Sequence, residues 1–202
     1  MEILMIRIRP LLALATFTLI SVAVTVAHLS GRIENSEDFR NVGERFSPAN
    51  VQTLCADDEL NVFSCPVKRT GKIVSLCTSK DFAKDSGYIT YRFGLPGKVE
   101  LEFPHERTAT QKAFYYAHYF RARFDQTEIS FNSGDYNYRM FDYYQGETKP
   151  YSHTQGLIVT PPGTKRSSTT LECAMPAKAD YSTIGDILPC DPDSTINPGG
   201  CQ

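Results

Sequence analysis

Tryptophan is absent from this 202-residue chain, so a hydrophobic core has to come from its 12 Phe, its 11 Tyr and its aliphatic residues. The tyrosines carry added weight, because a phenol can bury its ring while its hydroxyl stays wet. No Cys-x-x-Cys occurs, and nine residues separate even the closest cysteines. Structural zinc needs four ligands, commonly in tight pairs, so no metal or other cofactor is expected. No Gly-x-Ser-x-Gly is present either, which removes the nucleophile elbow of a serine hydrolase; Ser133 beside Gly134 is the nearest approach. Positive charge is scarce and scattered. Lys and Arg number 21 against 23 Asp and Glu, for a net charge of −2, and basic pairs such as Lys68-Arg69 and Lys165-Arg166 are isolated. A nucleic-acid partner needs clustered cations to displace counterions, so none is expected.

Six cysteines, Cys55, Cys65, Cys77, Cys173, Cys190 and Cys201, follow an apolar N-terminal stretch. Arg7 and Arg9 precede uncharged residues 10–29, rich in Leu, Ile and Val, in the charged-then-apolar order of a signal peptide. Thr25 and Ala27 offer small residues for cleavage after Ala27. The stretch also approaches the roughly 20 residues that span a bilayer, so residues 1–27 read as a signal peptide or a retained anchor helix. An even cysteine set behind such a leader predicts a disulfide framework in an oxidising compartment, periplasmic or secreted, with membrane contact only through residues 10–29 if uncleaved.

Residues 28–50 are polar and read as a linker. Residues 51–173 have the size of one domain, and their period is mostly two. Ile89, Tyr91 and Phe93 alternate before Gly94-Leu95-Pro96-Gly97, and Val99, Leu101 and Phe103 alternate after it, so residues 88–103 predict a hairpin. Residues 113–124 predict one aromatic strand with Phe114, Tyr116, His118, Phe120 and Phe124 on its apolar face. A second hairpin turns at residues 132–135, and further strands fall at 72–77, 156–160 and 168–173. Seven or eight short strands without a long helix predict an all-β, disulfide-braced antiparallel sandwich or barrel. Residues 174–202, with Pro176, Pro189, Pro192, Pro198 and glycines, read as a tail with no core of its own.

Cys190 and Cys201 bracket a loop too polar to hold itself in shape, and their disulfide is the economical reading, worth roughly 3 kcal/mol in the chain-entropy model. Cys65 and Cys77 end two strands and are assigned to each other, which leaves Cys55 for Cys173. Asp191, Asp193 and Thr195 alternate like the start of a calcium loop, but without its glycine and later acid they read as an acidic turn. No catalytic set is assigned. His118 is expected to be a core histidine, and His105 and His153 exposed loop residues. Glu100 and Glu102 share a strand face about 7 Å apart and read as solubilising charges rather than a glycosidase pair.

At Phe63-Ser64-Cys65, Gly71-Lys72-Ile73-Val74-Ser75-Leu76-Cys77 and Tyr91-Arg92-Phe93-Gly94 the chain resembles a group of small exported bacterial proteins of uncharacterised function, over about residues 60–160. Phe63-Ser64-Cys65 and the Ser133-Gly134-Asp135-Tyr136 turn are similar to the family of inhibitors of c-type lysozyme, small β-barrels. The similarity implies an envelope-facing β domain that inserts a polar loop into an enzyme cleft, with Ser133, Asp135 and Tyr136 as contacts and Tyr138 and Arg139 following on the same hairpin. The expected function is a non-enzymatic binding module for a protein or envelope polymer. An envelope hydrolase and a structural or adhesive protein are the alternatives.

Overall fold

The computed structural model describes residues 51–163, 167–174 and 177–201; the leader and the linker lie outside them. Among the described residues the chain is all-β, with ten strands. β1 (Glu59–Pro66), β2 (Ile73–Ser79), β3 (Ile89–Leu95) and β4 (Lys98–Phe103) come first. A 3-10 turn, Thr110–Ala113, leads to β5 (Tyr115–Arg121), β6 (Phe124–Ser133), β7 (Tyr136–Gln145), β8 (Ser152–Thr160) and β9 (Thr169–Glu172), and β10 is the two-residue Lys178–Ala179. They form two antiparallel five-stranded sheets, ordered β10-β1-β2-β3-β4 and β5-β6-β7-β8-β9.

The β3–β4 hairpin turns at the expected Gly/Pro segment. Val99, however, is exposed rather than inward, because a bulge at Gly94 shifts the register and ends the alternation near the tip. A side chain at Gly94 would meet the carbonyl oxygen of Lys98 at 2.4 Å, so only glycine fits the bulge. Residues 113–124 are not one strand. The chain reverses at Ala122-Arg123, so Phe124 begins β6 on the face opposite His118, packed edge-on against Tyr119. Arg123 holds φ 64°, a left-handed conformation usually given to Gly or Asn, which is why no turn was legible there.

The sheets meet across Phe63, Cys65, Val74, Leu76, Ile89 and Tyr91 from one side and Phe114, Ile129, Phe131, Met140 and Leu157 from the other. Aromatic rings cross the interface: Tyr91 lies 4.8 Å from Phe131, and Phe103 stacks on Phe131 at 4.8 Å. The outer face of the first sheet is polar yet buried. Ser64, Ser75 and Arg92 lie side by side there, and Arg92 donates hydrogen bonds of 2.5 and 2.8 Å to Glu59. Burial alone would raise the Glu59 carboxyl. Hydrogen bonds from Arg92, the Ala56 N–H and Tyr88, with the Arg92 charge, outweigh it and hold Glu59 below the ordinary carboxylate range.

Three disulfides close the domain, and no cysteine is free. Cys190–Cys201 is the expected bond. The other two differ from expectation: Cys55 pairs with Cys77 and Cys65 with Cys173, not Cys65 with Cys77 and Cys55 with Cys173. Register explains the exchange. Cys65 lies opposite Val74, whereas Cys77 lies opposite Asn61, so the two cysteines are displaced along the hairpin and point to opposite faces. Cys77 faces outward, where it ties down the segment before β1, and Cys65 faces inward, where it staples the first sheet to the end of β9. Three such bonds belong to an oxidising, extracytoplasmic compartment. No helix among the described residues is long and apolar enough to cross a membrane.

The segment after Cys173 is built into the domain rather than appended to it. Ala179 pairs with Phe63 at the sheet edge, and Ile184 and Leu188 are buried in the shared core. The chain then bridges to β5 through Tyr116, whose N–H donates to the Pro189 carbonyl and whose own carbonyl accepts from the Asp191 N–H. Beyond that point it covers the outer face of the second sheet. Ser194 donates to the buried Glu128 at 2.7 Å, and Ser130 donates to Asp191. Asp191 is therefore a structural acceptor inside an acidic turn.

Candidate functional site

Strand register builds the site. In the core, Tyr116, Ile129, Met140 and Leu157 lie abreast on β5, β6, β7 and β8, facing the first sheet. One step along, the same face carries His118, Thr127, Asp142 and Gln155, and the next step carries Phe120, Asp125, Tyr144 and His153. The inward face thus changes from apolar to polar and aromatic while the alternation continues. Opposite these two rungs stands the segment around Ala179, Tyr181, Ser182, Gly185 and Asp186 rather than β1–β4, which leaves a groove of about 570 Å³.

Two imidazole–carboxylate pairs line the groove. His118 Nε2 lies 2.9 Å from Asp125 Oδ1, and His153 Nε2 lies 2.6 Å from Asp142 Oδ1. With an ionised carboxylate as partner, each Nε2 carries the donated proton. Asp142 is further held by Gln155 Nε2 at 2.9 Å and by the Tyr181 hydroxyl at 3.2 Å. Burial, then the charge and hydrogen bond of Asp142, pushes the Tyr181 phenol well above its ordinary value. Burial likewise raises Tyr116. Both therefore remain protonated.

Tyr144 folds over Gly146, where a methyl group would meet the phenol oxygen at 2.4 Å; the glycine gives the ring its place. Three carboxylates, Asp125, Asp142 and Asp186, and no Lys or Arg are among the described lining residues. Comparison with protein-family models, curated proteins and solved structures finds no match.

The groove contains two histidines that sequence reading placed elsewhere. His118 has the inward parity expected of it, but it is half exposed because the second sheet continues past its apolar cover. His153 is on β8, not in a loop. His105 is exposed beyond β4 and joins neither pair. Glu102 is not a free surface charge: it pairs with Arg107 at 3.0 Å and with Arg92 at 3.4 Å, while Glu100 pairs with Lys72. The signal available in sequence was the repeated two-residue spacing His118/Phe120, Asp125/Thr127, Asp142/Tyr144 and His153/Gln155, each at the end of an inward-facing run.

The Ser133–Tyr136 turn lies at the opposite end of the β6–β7 hairpin from the groove. Asp135 and Tyr136 are exposed at its tip, beside Gly134 at φ 58°, with Ser133 next to them. The other two named residues diverge. Tyr138 stacks on Phe131 at 4.9 Å on the inner face, and Arg139 Nε lies on the outer face 3.6 Å from Glu128. Among the described residues, the one close grouping of metal-type side chains, Cys55, Glu59 and Cys77, offers no thiolate, since its cysteines are bonded to each other, and its carboxylate is bound to Arg92.

Proposed function

We propose that the protein is an exported, non-enzymatic binding module of a bacterial cell envelope, periplasmic or secreted, which takes its ligand in the groove between residues 179–186 and β5–β8. The observation that carries this reading is the build of the groove. Its volume falls within the roughly 300–1,000 Å³ of small-ligand clefts. Its polar groups are fixed by one another before any ligand arrives, so little ordering cost remains for binding. A further surface, the exposed Asp135–Tyr136 tip, supports an inhibitor or immunity role against a cell-wall-degrading enzyme. Purified protein titrated into c-type lysozyme and other muralytic enzymes tests that role. Inhibition lost in Tyr136→Ala supports it, and absence of both inhibition and binding at micromolar concentration removes it.

An envelope hydrolase is the second reading, favoured by the two His–Asp pairs in one concavity, since a carboxylate-oriented imidazole is the usual form of a general base. Against it, Ser182 is the serine of the groove, and its hydroxyl donates to Asp180 rather than to either imidazole. Turnover of envelope substrates that disappears in both His118→Ala and His153→Ala would establish this reading in place of the first.

A further inference from the structure

We infer that the groove's ligand is a short stretch of sugar chain free of acidic substituents, an assignment that rests on the binding-module reading. A pyranose ring has an apolar C–H face and a rim of hydroxyls, each both donor and acceptor. The outermost rung matches both aspects. Phe120 and Tyr144 are exposed aromatic residues on β5 and β7, strands about 9.6 Å apart, with Asp125 on β6 between those strands. Two aromatic faces that flank a carboxylate acceptor give stacking for two rings of a chain and a hydrogen-bond anchor for the hydroxyls between them.

The other polar groups extend this pattern. Asp186 adds an acceptor on the facing wall, and Ser182, whose proton is given to Asp180, adds a hydroxyl oxygen. Asp142 is already saturated by His153, Gln155 and Tyr181, so it serves to hold those side chains in place. Charge sets the restriction. Three carboxylates without a lining Lys or Arg repel uronate, sulfate and phosphate groups, whereas hydroxyl and amino groups meet acceptors. A protein partner fits less well, because a standard protein interface buries about 800 Å² on each side of a broad surface, and here Tyr144 and the carboxylates line one groove, with Phe120 exposed beside it on the same rung.

Calorimetric titration of the intact, oxidised protein tests the assignment with four probes: tetramers of N-acetylglucosamine, glucosamine and galacturonic acid, and a lysine tetrapeptide. The expected result is saturable binding of at least one of the first two, with the galacturonate tetramer at least about tenfold weaker. Tyr144→Ala and Phe120→Ala should each weaken that binding by about tenfold or more without changing the unfolding midpoint, since both rings stand largely free of the core. Gly146→Ala, which displaces the Tyr144 ring, should act in the same direction. No binding of either non-acidic tetramer at millimolar concentration, or binding indifferent to all three variants, overturns the assignment. If the lysine peptide alone binds and Tyr144→Ala abolishes it, the sugar assignment falls while the binding-module reading stands. If the wild-type protein cleaves a tetramer, the non-enzymatic reading falls and the sugar class stands.

Discussion

Glu59 and Arg92 show how much a single buried pair can weigh. Both side chains are almost fully shielded from solvent, so replacing Glu59 by Gln takes the nearer counter-charge from a buried guanidinium and leaves it Glu102 at 3.4 Å, a change that costs up to about 3–5 kcal/mol in comparable sites. Urea unfolding of Glu59→Gln at neutral pH measures it. The same pair sets an acid limit. The folded-state carboxyl lies below its unfolded value of 4.5, so below that pH the unfolded chain binds the proton more readily. The pair's contribution is complete above pH 4.5 and is lost as pH falls through the folded value, and the stability gap between wild type and Glu59→Gln should shrink over that window. Residues of this kind were only half legible. Glu59 and Arg92 stand 33 positions apart, and no local pattern joins them. His118 was legible in parity and not in burial, because alternation tells which face a side chain takes and cannot tell where the opposing sheet ends.

At the scale of elements, strands with strong alternation and glycine or proline turns were readable, and those set by an unusual backbone were not. The β3–β4 hairpin announced itself through Gly94-Leu95-Pro96-Gly97, whereas the β5–β6 reversal hides behind Ala122-Arg123. β10 has two residues and takes its place only because β1 offers an edge. The groove needs four strands in register, so its composition became visible only with the pairing known. Cross-links act at this scale too. Cys65–Cys173 closes a separation of 108 residues and Cys190–Cys201 one of 11. In the chain-entropy model the first is worth about 4–5 kcal/mol and the second roughly 3 kcal/mol. Chemical unfolding of the Cys65→Ser/Cys173→Ser and Cys190→Ser/Cys201→Ser double variants should show the larger loss for the first. The second should keep its core, and its main change should be loosening of the segment over Glu128, readable as faster amide exchange in β6.

For the molecule as a whole, the C-terminal segment joins everything: it edges one sheet, fills the core with Ile184 and Leu188, walls the groove and covers the back of the other sheet. Truncation after residue 180 should therefore remove groove binding and lower the unfolding temperature together, which calorimetry on one sample would show. The interleaved bonds Cys55–Cys77 and Cys65–Cys173 carry a consequence for biogenesis. In a chain delivered N-terminus first to an oxidising compartment, Cys55, Cys65 and Cys77 arrive in that order, nearly a hundred residues ahead of Cys173. An oxidant that joins thiols as they emerge links Cys55 to Cys65 first and strands Cys77. Correct maturation then depends on a disulfide isomerase. Chains oxidised while they are still emerging should accumulate that mispaired species, identifiable by peptide mapping, and adding an isomerase should release it.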